Sequence, residues 1–82
     1  MVHVYYGEDL EVVQAIVEGL ALRAKGAKIK MTVLKNSNEM SSNTLIEYIK
    51  NFDAQTELVV FGQCFDYEII EVADLVSCIK TL

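Results

Sequence analysis

The chain opens on a β-rich run that stops at a glycine and passes directly into a long helical pattern. No other feature constrains the fold as tightly. Val2, His3, Val4, Tyr5 and Tyr6 lead into Gly7. From there Leu10, Val13, Val17, Leu20 and Ala24 recur at the spacing of one helix face. A strand that gives way to a helix across so short a turn is the first half of a βαβ unit. The helix must cross back over the sheet before a second, parallel strand can form.

The rest of the chain repeats that alternation, and the pattern reads β-α-β-α-β-α. The first strand is expected over residues 2–6 and the first helix over 9–25. Asp9 serves as its cap, Arg23 and Lys25 sit in its last turn, and Gly26 follows. A second strand is expected over 29–34 and a polar loop over 35–43. A second helix then begins at Thr44, which with Glu47 makes a capping-box pattern, and carries Leu45, Tyr48, Ile49 and Phe52 on one face. The third strand runs over 57–61 and ends at Gly62. A last helix is expected over 67–80. The fold class is therefore α/β, a minimal βαβαβα unit in one domain over residues 1–82, with a three-stranded parallel sheet and helices packed on it.

That last helix would carry two apolar stripes. Ile69, Val72, Ala73, Val76 and Ile79 form one, and Ile70, Leu75, Cys78 and Leu82 the other. One stripe is enough to cover a sheet. The second, with the free edges of so small a sheet, implies a homodimer or larger assembly through the last helix, a sheet edge or both. The share of hydrophobic residues, 52%, points the same way, since 82 residues build only one small core.

Composition excludes some partners. Twelve acidic residues against seven basic give a net charge of −5, which argues against nucleic acid and anionic membrane surfaces. The apolar runs are too short to span a bilayer. No charged-then-apolar leader is visible, and two cysteines without CxxC spacing suit a reducing compartment, so a cytoplasmic location is expected.

Loops that follow parallel strands gather at one end of a sheet. The candidate ligand-binding residues are therefore Gly7, Glu8 and Asp9, then Lys35 and Asn36, then Gly62 and Gln63. A cation site built from Glu8, Asp9, Glu39 and Asp66 is one reading, and solvated caps the more economical one, because no compact loop alternates ligand residues. Cys64 is placed as a nucleophile or thiol carrier, or as an inert half-buried cysteine. Asp66 and Glu68 nearby would raise its pKa rather than lower it. Cys78 reads as core or interface. His3 has no second histidine with which to share a metal. Tyr5, Tyr6, Tyr48 and Tyr67 could stack on a flat ligand, but their spread over three elements fits core edges better.

Several fragments resemble the ATP:corrinoid adenosyltransferases, P-loop enzymes that attach adenosine to cobalamin. Val4-Tyr5-Tyr6-Gly7 is similar to the family's VYTG, and Gly19-Leu20-Ala21-Leu22-Arg23-Ala24 to its GLALRA. Val33-Leu34-Lys35 resembles the end of its next strand, and Leu58-Val59-Val60-Phe61-Gly62-Gln63 its LVVLDE. The resemblance implies a P-loop or Rossmann-like scaffold. It also implies that the chemistry has been erased. The family's turn is TGxGKGKTT, whose glycines expose backbone N–H groups, whose lysine meets phosphate and whose hydroxyl meets Mg²⁺. Here Asp9 and Glu11 replace glycines, Val12 the lysine and Val13 the hydroxyl residue. Gly62 and Gln63 replace the metal-site acids.

The expectation is thus a non-catalytic binding or regulatory module that does not use ATP in the usual way. No cofactor is required. Cobalamin or adenosine is the ligand the resemblance brings, and an active adenosyltransferase is the corresponding partner. The alternative is a small enzyme or a thiol- or metal-dependent carrier, working through Cys64 or through Glu8, Asp9 and Asp66.

Overall fold

A computed structural model describes residues 1–36 and 40–80. Strand β1 (Val2–Tyr6) leads to helix α1 (Leu10–Gly26), strand β2 (Met31–Lys35), helix α2 (Ser42–Lys50), strand β3 (Glu57–Gly62), helix α3 (Tyr67–Val72) and strand β4 (Leu75–Cys78). The four strands form one sheet in the order β2-β3-β1-β4, and every neighbouring pair is parallel. The fold class is α/β, as the alternation predicts, but with four strands rather than three.

Helices cover both faces. The step from β1 to β2 moves one way along the sheet, and the steps from β2 to β3 and from β3 to β4 move the other way. Right-handed crossovers then require α1 on one face with α2 and α3 on the opposite one. The packing agrees. Val13 and Val17 of α1 meet Val59 and Phe61 on one face. Leu45 and Ile49 of α2 and Ile69 of α3 meet Val4, Leu58 and Val60 on the other. Val59 and Val60 are 1% and 0% exposed, so the middle of β3 is buried on both faces, which explains why it reads as an unbroken apolar run rather than an alternation. Each fully buried aliphatic side chain here stabilises the fold by about 1.5–3 kcal/mol.

The largest correction falls on the expected helix over 67–80. It ends at Val72, and Ala73 already has an extended backbone with ψ of 146°. Asp74 turns the chain into the sheet. Its N–H donates to the Val2 carbonyl at 2.9 Å, and its carboxylate accepts from the Val2 N–H at 2.7 Å. Leu75–Cys78 then pairs with β1. Two physical facts override the helical spacing. Val76, Ser77 and Cys78 are poor helix formers, and the far side of β1 offers a whole ladder of backbone partners. The two-striped helix is therefore absent, and with it the helical surface expected to meet a partner.

Smaller corrections follow. Ser41, not Thr44, caps α2. Its hydroxyl accepts from the Thr44 N–H at 3.2 Å, so the helix starts one turn earlier than the Thr44/Glu47 pattern implies. Gly26 belongs to α1, and the left-handed residue after it is Lys28, with φ of 59°. Strand β2 begins at Met31, leaving Ile29 outside it and 52% exposed.

Candidate functional site

Strands β1 and β3 are neighbours, and their connections leave to opposite faces of the sheet. In an open parallel sheet that arrangement parts the loops and makes a crevice at the carboxyl ends of the two strands. Six of the seven expected ligand residues are brought to it. Gly7, Glu8 and Asp9 follow β1, Gly62 ends β3 and Gln63 follows it, and Asn36 flanks them just after β2. Lys35, the last residue of β2, is exposed one strand further out.

The crevice is stitched together by its own polar groups. Gly7 N–H donates to the Gly62 carbonyl at 3.3 Å, which extends the β1–β3 ladder by one bond. The Gln63 amide crosses to the Glu8 carbonyl at 3.1 Å. Asn36 donates its backbone N–H to Phe61 at 2.8 Å and its side-chain amide to the Cys64 carbonyl at 3.3 Å. At the first turn of α1, the Asp9 carboxylate accepts from Glu11 N–H at 3.1 Å and Val12 N–H at 3.4 Å. Those are the donors a helix N-terminus would offer an anion.

Gly7 is small for a reason other than its dihedral angles, since no glycine here has positive φ. A Cβ at Gly7 would collide with the Ile79 carbonyl oxygen, because the residue just past β4 lies against the turn. A phosphate cradle needs glycines so that backbone donors can converge. Here the same glycine admits a neighbouring strand.

What remains open is a pocket of about 400 Å³ beside the crevice, between the ends of β1 and β4. Tyr6, Glu8 and Gln63 line one side of it, and Cys78, Ile79 and Lys80 the other. Tyr6 and Cys78 are paired across the two strands and share a face. The hydrogen bond to the Cys78 thiol holds the Tyr6 hydroxyl above its ordinary pKa, helped by charge repulsion from that thiol and by some desolvation. Sequence reasoning missed Cys78, Ile79 and Lys80 because it placed them in a helix. The signal available was the short run Leu-Val-Ser-Cys after an acidic residue.

A second pocket, of about 310 Å³, lies between the starts of α2 and α3. Cys64, Asp66, Ser41 and Ser42 contribute its polar wall, and Leu45 and Ile69 its floor. The Ser42 hydroxyl bonds the Asp66 carboxylate. Both cysteines are free and exposed.

The described members of the alternative cation group, Glu8, Asp9 and Asp66, do not form a metal-binding cluster. Asp9 is spent on its own helix, Asp66 on Ser42, and Glu39 lies outside the described residues. Among the described residues no group of three or more His, Cys, Asp or Glu could hold a metal ion. His3 sits at the opposite, amino end of the strands, 3.5 Å from the Glu57 carboxylate, which also lies 3.0 Å from the Met1 amine. A hydrogen bond from that amine holds Glu57 below its ordinary pKa, with desolvation opposing and the charges of the amine and of His3 assisting. Of the tyrosines, Tyr48 packs against Phe52 at 5.5 Å between ring centroids, Tyr5 packs beside the α1 core, and Tyr67 is 71% exposed. They do not converge on one surface.

Among the described residues no helix is long and apolar enough to cross a membrane. Compared with protein-family models, curated proteins and solved structures, the chain matches none.

Proposed function

We propose that this protein is a non-catalytic binding or regulatory module of corrinoid-adenosyltransferase ancestry, one that takes a corrinoid or a nucleoside without engaging a triphosphate. The observation that carries this reading is the Asp9 carboxylate on the Glu11 and Val12 N–H groups. A phosphate at that helix end would have to displace an anion already seated there, with Glu8 and Glu11 adding repulsion. The neighbouring pocket of about 400 Å³ suits a small ligand that presents an apolar face and hydrogen-bonding groups.

A thermal-shift titration with ATP–Mg²⁺, adenosine and cobalamin tests it, because a ligand that binds only the folded state raises Tm by mass action. Adenosine or cobalamin is expected to raise Tm while ATP–Mg²⁺ does not. A shift with ATP–Mg²⁺ equal to that with adenosine would overturn the exclusion of phosphate. Silence with all three would overturn the choice of ligand.

The competing reading is a small thiol-dependent enzyme or carrier. Its support is the exposed Cys64 on the loop after β3, lining a pocket with Asp66 and Ser42. Rapid labelling of Cys64 by iodoacetamide near neutral pH in the folded protein would favour it. Slow labelling favours the binding module.

A further inference from the structure

Strand β4 is an edge strand, and among the described residues nothing pairs with its outer side. Ile79 N–H donates to the Tyr6 carbonyl at 2.7 Å. In a parallel ladder, donors to one neighbour recur at every second residue. Leu75, Ser77 and Ile79 therefore turn their backbone groups toward β1, and Val76 and Cys78 turn theirs outward. Sheet edges are normally guarded by charge, proline or a covering element. The opposite edge, β2, is flanked by Lys28, Lys30 and Lys35. By contrast β4 reads Leu75-Val76-Ser77-Cys78, with no charge and no proline. Leu75 is 53% exposed on one face and Val76 39% on the other.

The charges that flank β4 suit a second copy of the same strand. Asp74 stands just before it and Lys80 two residues after its end. Laid antiparallel about a two-fold axis through Ser77, Asp74, whose Oδ2 holds the Val2 N–H of its own chain, is left with Oδ1 to face Lys80 of the partner subunit, and the same pair recurs on the other side of the axis. Val76 then faces Cys78 of the partner subunit, and both outward-turned backbone groups meet in a hydrogen-bonded pair. Leu75 faces Ile79 of the partner subunit. Ser77 faces its own copy in a non-hydrogen-bonded pair, where Cα atoms approach most closely. Shifting the register by two residues in either direction breaks the Asp74–Lys80 match.

We propose that two chains pair antiparallel through β4, with Ser77 on the two-fold axis, to make one continuous sheet across the dimer. This inference does not depend on the ligand reading. Sedimentation equilibrium should give twice the 9.2 kDa of one chain. A single-cysteine form, Ser77→Cys with Cys64→Ser and Cys78→Ser, should form an intermolecular disulfide under mild oxidation. Val33→Cys in the same cysteine-free background, on the β2 edge, should not. Lys80→Asp sets carboxylates against each other at both ends of the interface and should weaken association about tenfold while leaving the fold intact. A folded monomer at all concentrations would overturn the proposal and leave the edge to a strand of another protein. A dimer that cross-links through Val33→Cys, or one indifferent to Lys80→Asp, would overturn the β4 pairing.

Discussion

The β1–Gly7–α1 corner and the β4 edge lie side by side, and they treat their polar groups in opposite ways. At the corner each reach is answered within the chain: Gly7 by Gly62, Gln63 by Glu8, and the helix start by Asp9. Along β4 the inner side is fully paired with β1, while the outer side of an uncharged strand faces solvent. The corner has spent its donors within the chain. The edge has kept them. The helix start, where the first turn would direct a search, already has its first backbone donors taken by Asp9, while the outer side of β4 has its own free.

The sharpest way to break that contrast is to fill the corner. Gly7→Ala forces a methyl against the Ile79 carbonyl and against Val13 Cγ2, 3.1 Å away. Both the end of β4 and the first turn of α1 must move. We expect a loss of about 1–3 kcal/mol, as for overpacking elsewhere, read as a lower midpoint in urea. Gly62→Ala is the matched control. Its Cβ would meet the Asn36 Cβ at 3.2 Å, a side chain at the end of an edge strand, so its cost should be clearly smaller. Equal costs would mean that Ile79 does not lie tightly against the turn.

Next in size is the cap. Asp9→Ala removes the acceptor for Glu11 and Val12 N–H, and should cost about 1 kcal/mol in thermal or urea unfolding. It also separates two roles. If the carboxylate is what bars phosphate from the helix start, this variant should gain a measurable Tm response to inorganic phosphate that the parent lacks. Loss of stability without that gain would leave the closure of the corner to its geometry alone.

Much of the corner was legible in the sequence, and the edge was not. Asp9 reads as a cap because a short acceptor beside a helix start has one obvious use. Val13, Val17 and Ala24 read as the buried face of α1 and are buried. The Leu-Val-Val-Phe run of β3 reads as a strand and is one, and it is buried throughout. All of these depend on neighbours close in sequence. Residues 67–80 failed because the competing partner was distant. Ile69, Val72, Val76 and Ile79 keep helical spacing, yet the free side of β1, more than sixty residues earlier, captures the second half as a strand. Spacing within a segment cannot report a ladder offered from elsewhere. The pocket residues Cys78, Ile79 and Lys80 were lost with it. Strand order, and with it the β1–β3 crevice, was likewise set by long-range pairing.

The smallest effect tests the edge from the other side. Leu75 is 53% exposed, and α1 packs chiefly over β3, β2 and β1. Leu75→Ala should change the stability of the isolated chain by no more than about 0.5 kcal/mol, as for an ordinary surface site. A buried residue of the same type, Leu58 at 0% exposure, would cost about 2–5 kcal/mol on the same change. If Leu75→Ala lowers Tm only at protein concentrations where the chain associates, the side chain works between copies. If it lowers Tm equally at every dilution, Leu75 supports its own sheet, and the difference between a closed corner and an open edge disappears.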